Sequence, residues 1–236
     1  MTLSDVLRRH ACVRPDKVAF VDPRRRCTFS ELDDRVTRLA NALSARGIGH
    51  GDRVAVLGYN SIELVESWLA ALRLGAIAVP VNFRMVADEI AYVLADSGAA
   101  AVLADIALAP TVEEACAKLR RWTPSSRSAA IWTTSSPPRT VLSPRSQSRR
   151  GARVHHVHVG HDGLSQGAVL THRNLYLHAF SSIATLGNRD DDDCWMAVAP
   201  LFHTAGVSGM LPMFLNGGAV IPPSVRPRRD RRHDRR

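Results

Sequence analysis

The first half of the chain alternates short apolar runs with stretches in which apolar residues recur every three or four positions. Lys17-Val18-Ala19-Phe20-Val21 and Arg26-Cys27-Thr28-Phe29 predict two short strands around Asp22-Pro23. A helix capped by Ser30 then carries Leu32, Val36, Leu39, Ala40 and Leu43 on one face and ends at Gly47. Arg53-Val54-Ala55-Val56-Leu57 reads as a buried strand. Ser61 to Leu74 reads as a second helix, with Ile62, Leu64, Val65, Trp68, Leu69 and Leu72, and Gly75 stops it. Ile77 to Val81 is the next strand, Ala87 to Ala95 the next helix, and Ala101 to Ala104 another strand. Apolar strands separated by amphipathic helices specify the α/β class, a mainly parallel sheet flanked by helices on both faces.

This regularity stops in Thr123 to Gln147, which is rich in Ser, Pro, Thr and Arg and has no periodicity. It resumes at Gly167-Ala168-Val169-Leu170, followed by a helix with Leu175, Leu177, Ala179 and Ile183. Trp195 to Ala199 is strand-like. Pro200 to Gly206 is a loop that leads into an apolar helix through Leu215, and Gly217 to Ile221 reads as a turn and a strand. The expected organisation is an α/β subdomain over 1–119 and an aberrant Ser/Pro/Arg-rich segment over 120–160. A second α/β segment follows over 161–223, and a basic tail over 224–236. Poor order is expected across 123–160 and after 224.

With 236 residues, 45% apolar and 22% charged, the composition is that of an ordinary globular protein. The net charge of +9 would otherwise point to nucleic acid, but its distribution changes that reading. Residues 120–153 hold eight arginines and no acid, and residues 224–236 hold seven arginines and two aspartates, so the rest of the chain is negative, at −4. The two basic stretches have few aromatics to stack bases and no recognisable module, and no nucleic-acid partner is expected. No apolar run reaches the roughly 18–20 residues of a membrane span. Met1-Thr2-Leu3-Ser4-Asp5 lacks the features of a signal peptide. Cys12, Cys27, Cys116 and Cys194 are scattered without metal-binding or disulfide-framework spacing, so a reduced cytoplasmic setting is expected.

Three segments carry a family likeness. The first runs from Gly51-Asp52-Arg53-Val54-Ala55-Val56-Leu57 through Trp68-Leu69-Ala70-Ala71-Leu72 and Gly75-Ala76 to Val79-Pro80-Val81-Asn82. The second is Gly167-Ala168-Val169-Leu170-Thr171-His172-Arg173-Asn174, and the third is Pro200-Leu201-Phe202-His203-Thr204-Ala205-Gly206. In this order and spacing the chain resembles the N-terminal portion of the adenylate-forming acyl-CoA synthetases (the AMP-binding, fatty-acid–CoA ligase family). The resemblance implies an incomplete version of that fold. The family joins a carboxylic acid to ATP, giving an acyl-adenylate and pyrophosphate, and then passes the acyl group to a thiol such as coenzyme A. By this resemblance ATP with Mg2+ and coenzyme A are the cofactors, and a small carboxylic acid is the partner. His203, Thr204 and Gly206 border the substrate pocket, and Gly160, Gly163 and Gly167 remain from the phosphate loop. No residue is assigned a catalytic role. His172 is expected to cap or pack at its helix start, Trp68 and Trp195 to pack in the core, and Asp190-Asp191-Asp192-Asp193 to form a solvated loop. The family's later motifs have no counterpart before Arg236, so a truncated, inactive fragment is expected. The alternative is a non-catalytic interaction fragment that pairs with a separate C-terminal half.

A phosphate loop needs glycines so that backbone N–H groups can approach, hydroxyl donors, and a lysine against the β/γ-phosphates. Here Val157-His158-Val159-Gly160-His161-Asp162-Gly163-Leu164-Ser165-Gln166-Gly167 keeps the glycines, places Gln166 at the lysine position and adds Asp162, which repels a triphosphate. A set of GC-rich codons compatible with this stretch can, shifted by one nucleotide, spell Ser-Thr-Ser-Gly-Thr-Thr-Gly-Ser-Pro-Lys, the loop that the resemblance implies. Val225-Arg226-Pro227-Arg228-Arg229 shifts likewise to Phe-Asp-Pro-Ala-Ala. The same shift accounts for His155, His156, His158 and His161, which otherwise suggest a metal cluster with His156 and His158 on one strand face. No metal site is expected. The reading is checked directly in the gene: the second frame across codons 154–166 should spell the phosphate loop, and any other sequence there refutes the shift.

Overall fold

The computed structural model describes residues 2–119, 131–133, 153–159, 165–186 and 193–221. A helix that the sequence-based reading does not anticipate, α1 (Leu3–Val13), opens the described chain. Thr2 Oγ1 accepts from the Asp5 N–H at 3.2 Å, and the Asp5 carboxylate accepts from the Thr2 N–H at 2.7 Å. This reciprocal pair closes the first turn. β1 (Val18–Val21) and β2 (Arg26–Thr28) form an antiparallel hairpin. α2 (Phe29–Ser44) is capped by Thr28 and not by Ser30. Only Thr28 has a glutamate three residues on: its hydroxyl accepts from the Glu31 N–H at 3.2 Å, and Glu31 accepts from the Thr28 N–H at 2.9 Å.

β3 (Arg53–Leu57), α3 (Ile62–Arg73), β4 (Ile77–Val81), α4 (Ala87–Ser97) and β5 (Ala101–Ala104) follow the predicted alternation, and α5 (Ala109–Ala117), which the sequence-based reading does not anticipate, continues it. β6 (Ile131–Thr133) and β7 (Arg153–Val159) lie within the segment for which no regular structure was expected; the rest of 120–152 falls outside the described residues, as does 222–236 with the basic tail. β8 (Ser165–Thr171), α6 (His172–Leu186), β9 (Cys194–Met196), α7 (Thr204–Asn216) and β10 (Ala219–Ile221) complete the described elements.

Six strands form one sheet in the order β6-β5-β3-β4-β7-β8, parallel except for the β7–β8 pair. Four form a second sheet, β2-β1-β10-β9, in which β10 runs parallel to both neighbours. Helices flank these sheets, as expected for the α/β class. The strand beside β4 is β7, in register at Ala78 and Val154. The early and late parts of the chain interlock, because β10 pairs with β1 at Val220 and Phe20 and a single core draws Leu7, Phe29, Leu175 and Leu211 together.

Alternation along the central strands divides two cores. Val54, Val56, Ala78 and Leu103 face α1, α2, α3, α6 and α7, whereas Ala55, Leu57, Val79 and Val102 face α4 and α5. Every residue of α3 from Ile62 to Leu72 is buried, including Glu63, Glu66 and Ser67. Arg35 grips Glu66 with Nε and Nη2, the latter at 2.9 Å. Arg25 Nη2 lies 3.2 Å from both Glu63 and Glu66, and Arg24 donates to Glu63 at 2.5 Å. Trp68, 7% exposed, packs in this core beside a wholly apolar cavity of about 40 Å³ between α3 and α7. Among the described residues no helix is long and apolar enough to cross a membrane.

His172 packs at the start of α6 and does not cap it. Thr171 does that: its hydroxyl accepts from the Asn174 N–H at 3.2 Å, and Asn174 Oδ1 accepts from the Thr171 N–H at 3.0 Å. The imidazole is 8% exposed with both nitrogens unpartnered, and burial pushes its pKa down from 6.5 to about 4. Between those values the unfolded chain binds a proton that the folded chain refuses, so stability falls as pH drops from about 6.5 to about 4. The parent should lose on the order of 3 kcal/mol across that window. His172→Leu should flatten the pH dependence of the thermal midpoint; an unchanged slope would assign the acid sensitivity to other groups.

Candidate active site

Ligands of parallel α/β sheets gather beyond the C-terminal ends of the strands. At that edge Gly58-Tyr59-Asn60-Ser61 follows β3 and Asn82-Phe83-Arg84 follows β4. The loop from Ala197 to His203, between β9 and α7, lies against both. Asn60 Nδ2 donates to the carbonyls of Ala197 (3.1 Å) and Ala199 (2.9 Å), and its Oδ1 accepts from the Leu201 N–H (2.8 Å). Phe202 meets Phe83 edge-on, with centroids 5.3 Å apart and planes at 84°. Tyr59 packs on Phe83 at 4.8 Å, and the Arg84 guanidinium stands 5.0 Å from the Phe83 centroid.

His203 is the N-cap of α7, in an extended conformation with its side chain exposed. Its Nδ1 accepts from the Ala205 N–H at 3.2 Å, which places the proton of the neutral ring on Nε2, free to donate to a ligand. Thr204 is also exposed, at the first position of α7. Gly206 is buried against its own loop, where a Cβ would stand 2.4 Å from the Pro200 carbonyl oxygen. A Cβ at Gly209 would stand 2.0 Å from the half-buried Trp195 indole, so that ring lies directly across α7.

The structure therefore brings His203, Thr204 and Gly206 together on one turn. Gly167 lies in β8 opposite Val157, exposed, and Gly160 and Gly163 fall outside the described residues. His155, His156 and His158 lie along β7, while His161 and Asp190 to Asp192 are outside the described residues. Among the described residues no three His, Cys, Asp or Glu side chains are grouped to hold a metal ion. Asn60, Tyr59 and Phe83 are the residues that sequence reasoning misses. Their signal, polar and aromatic residues directly after two apolar strands, gives no hint of contact with a loop some 140 positions away.

Residues 7–234 match the family model described as AMP-binding enzyme. The chain belongs to this family. The long-chain-fatty-acid–CoA ligase FadD13 of Mycobacterium tuberculosis is 30% identical over 238 residues, covering 92% of this chain and 44% of that protein. A feruloyl-CoA synthase from Amycolatopsis is 36% identical over 196 residues, covering 82% and 38%. The inhibitor-bound N-terminal domain of FACL13 from Mycobacterium tuberculosis superposes with a TM-score of 0.79 at 27% identity, over 94% of this chain and 56% of that one. The chain thus spans less than half the length of these curated relatives.

The loop shape depends on the glycine at 206, since a backbone carbonyl cannot swing aside as a side chain can. Gly206→Ala should destabilise the chain by about 1–3 kcal/mol. Thermal unfolding would show it, and an unchanged midpoint would mean that the loop yields freely.

Proposed function

We propose that the chain is the N-terminal portion of an ATP-dependent acid–thiol ligase of the fatty-acid–CoA ligase type, with the His203 loop bordering the carboxylic acid. The observation that carries this reading is the exposure of His203 and Thr204 on a loop held at the C-terminal edge of the parallel sheet. In this chemistry a carboxylate oxygen attacks the α-phosphorus of ATP, pyrophosphate leaves, and a thiol later attacks the acyl carbonyl and releases AMP. His203 Nε2–H and the Thr204 hydroxyl are donors suited to hold an acid or acyl oxygen. The names of the relatives, which cover fatty and aryl acids, support the acid class, and a fatty acid is the substrate we favour. The scattered spacing of the four cysteines supports a cytoplasmic setting.

Adenylation brings two anions together and requires fixed positive charge on the phosphates. Residues 157–167 contain no lysine or arginine, carry Asp162, and have Gln166 where the resemblance places the lysine. This set does not fit a nucleoside triphosphate with its Mg2+, and a shifted frame over 154–166 accounts for it. The chain alone is then inactive. A second reading, a non-catalytic fragment that pairs with a separate C-terminal half, is favoured by two large apolar side chains exposed one turn apart on α6, Leu177 at 57% and Phe180 at 55%. Acid-dependent exchange of radiolabelled pyrophosphate into ATP, with decanoate or ferulate, separates these from an active enzyme. No exchange is expected from the chain by itself, and clear turnover would overturn the inactivity.

A further inference from the structure

We infer that Asn60 is the positioning residue of the acid-binding loop, presenting His203 from the end of β3. The inference rests on the reading of the His203 loop as the acid site. Ala197, Ala199 and Leu201 are alternate residues of the loop, and its bends bring one polar group of each to the same side chain. A single carboxamide meets all three, with two donors and one acceptor. Val198, between the first two, is 67% exposed, and Phe202, just after the third, reaches Phe83. The loop's other hydrogen bonds lead back to its own region, from the Ala197 N–H to the Ile221 carbonyl at 2.8 Å and from the His203 N–H to the Pro200 carbonyl at 3.0 Å. Asn60 is therefore the hydrogen-bonded tie between this loop and the six-stranded sheet among the described residues.

The tie is itself held firmly. Ser61, the next residue, caps α3 by accepting from the Leu64 N–H at 3.2 Å, and Tyr59, the residue before, packs on Phe83. The chemistry of the site also selects an amide. Aspartate has the same shape and keeps the Leu201 bond, but it turns a negative oxygen toward two carbonyls. Leucine keeps the volume and leaves three backbone groups unpartnered, and glutamine is one methylene too long for the same span.

Two measurements on the full chain test the role. In amide hydrogen exchange, Asn60→Ala should lower protection of the Leu201 N–H by about tenfold and Asn60→Ser by less, with β3 and α3 amides unchanged. In NMR titrations with decanoate and with ferulate, the His203 ring resonances of the parent should move, and Asn60→Ala should weaken the apparent affinity by about tenfold. Asn60→Ser keeps a hydroxyl donor and serves if Asn60→Ala also loosens β3. Intact Leu201 protection in Asn60→Ala, or in Asn60→Ser where Asn60→Ala loosens β3, overturns the tie. Lost protection with unchanged acid affinity makes Asn60 merely structural and overturns the positioning role. A His203 ring silent to both acids in the parent overturns the acid-site reading and this role with it, even where the exchange result shows the tie to exist.

Discussion

The burial of α3 on every side is the constraint around which the described structure is arranged. This helix lies in the core between the six-stranded sheet and the elements packed with the four-stranded one, and its face toward the β1–β2 hairpin carries two glutamates. Buried carboxylates are tolerated only when paired and hydrogen-bonded, because their desolvation is otherwise too costly. Arg24 and Arg25 from the hairpin turn and Arg35 from α2 meet that demand. The pairing fixes where the hairpin sits, and β1 in turn sets the position of β10 and the late segment. Breaking one partner of such a buried pair typically costs about 3–5 kcal/mol, since the other charge is left uncompensated.

From α3 the consequences run to the candidate active site. The same helix begins at Ser61, directly after Asn60, so the cap that starts α3 also fixes the carboxamide that grips the 197–201 loop. The aromatic stack of Tyr59, Phe83 and Phe202 lies along the same edge. Thus the packing demand of one internal helix and the geometry around His203 share neighbouring residues. The loop does not depend on its own sheet alone for its place.

Much of the fold was legible in the sequence because apolar runs and three-to-four spacing mark strands and helices wherever burial is one-sided or complete. β3, α3, β4 and β5 fall where the pattern puts them. α1 is not legible in the pattern, because its inward face is short and followed by Arg8, Arg9 and His10; its start is signalled only by the Thr2–Asp5 cap. Ser30 is not the cap, because the acid three residues after it, Asp33, pairs with Arg73, while Glu31 closes the first turn on Thr28. β6 and β7 were missed because their flanks lack periodicity and their pairing with β5 and β4 is decided across the sheet. In the candidate site, His203 and its neighbours are marked by a local motif, whereas Asn60 carries none.

The sequence by itself determined the class, the order of most elements, the family, the motif around His203 and the deficient charge of residues 157–167, because each is written in local spacing and residue chemistry. Tertiary structure alone decided which face of each wholly apolar strand meets which core, how the late strand β10 enters beside β1, and which residues hold the His203 loop. Those outcomes depend on partners far apart in the chain. Alternation cannot distinguish two faces that are both apolar, and no local pattern tells an asparagine that its three hydrogen-bond partners lie some 140 residues away.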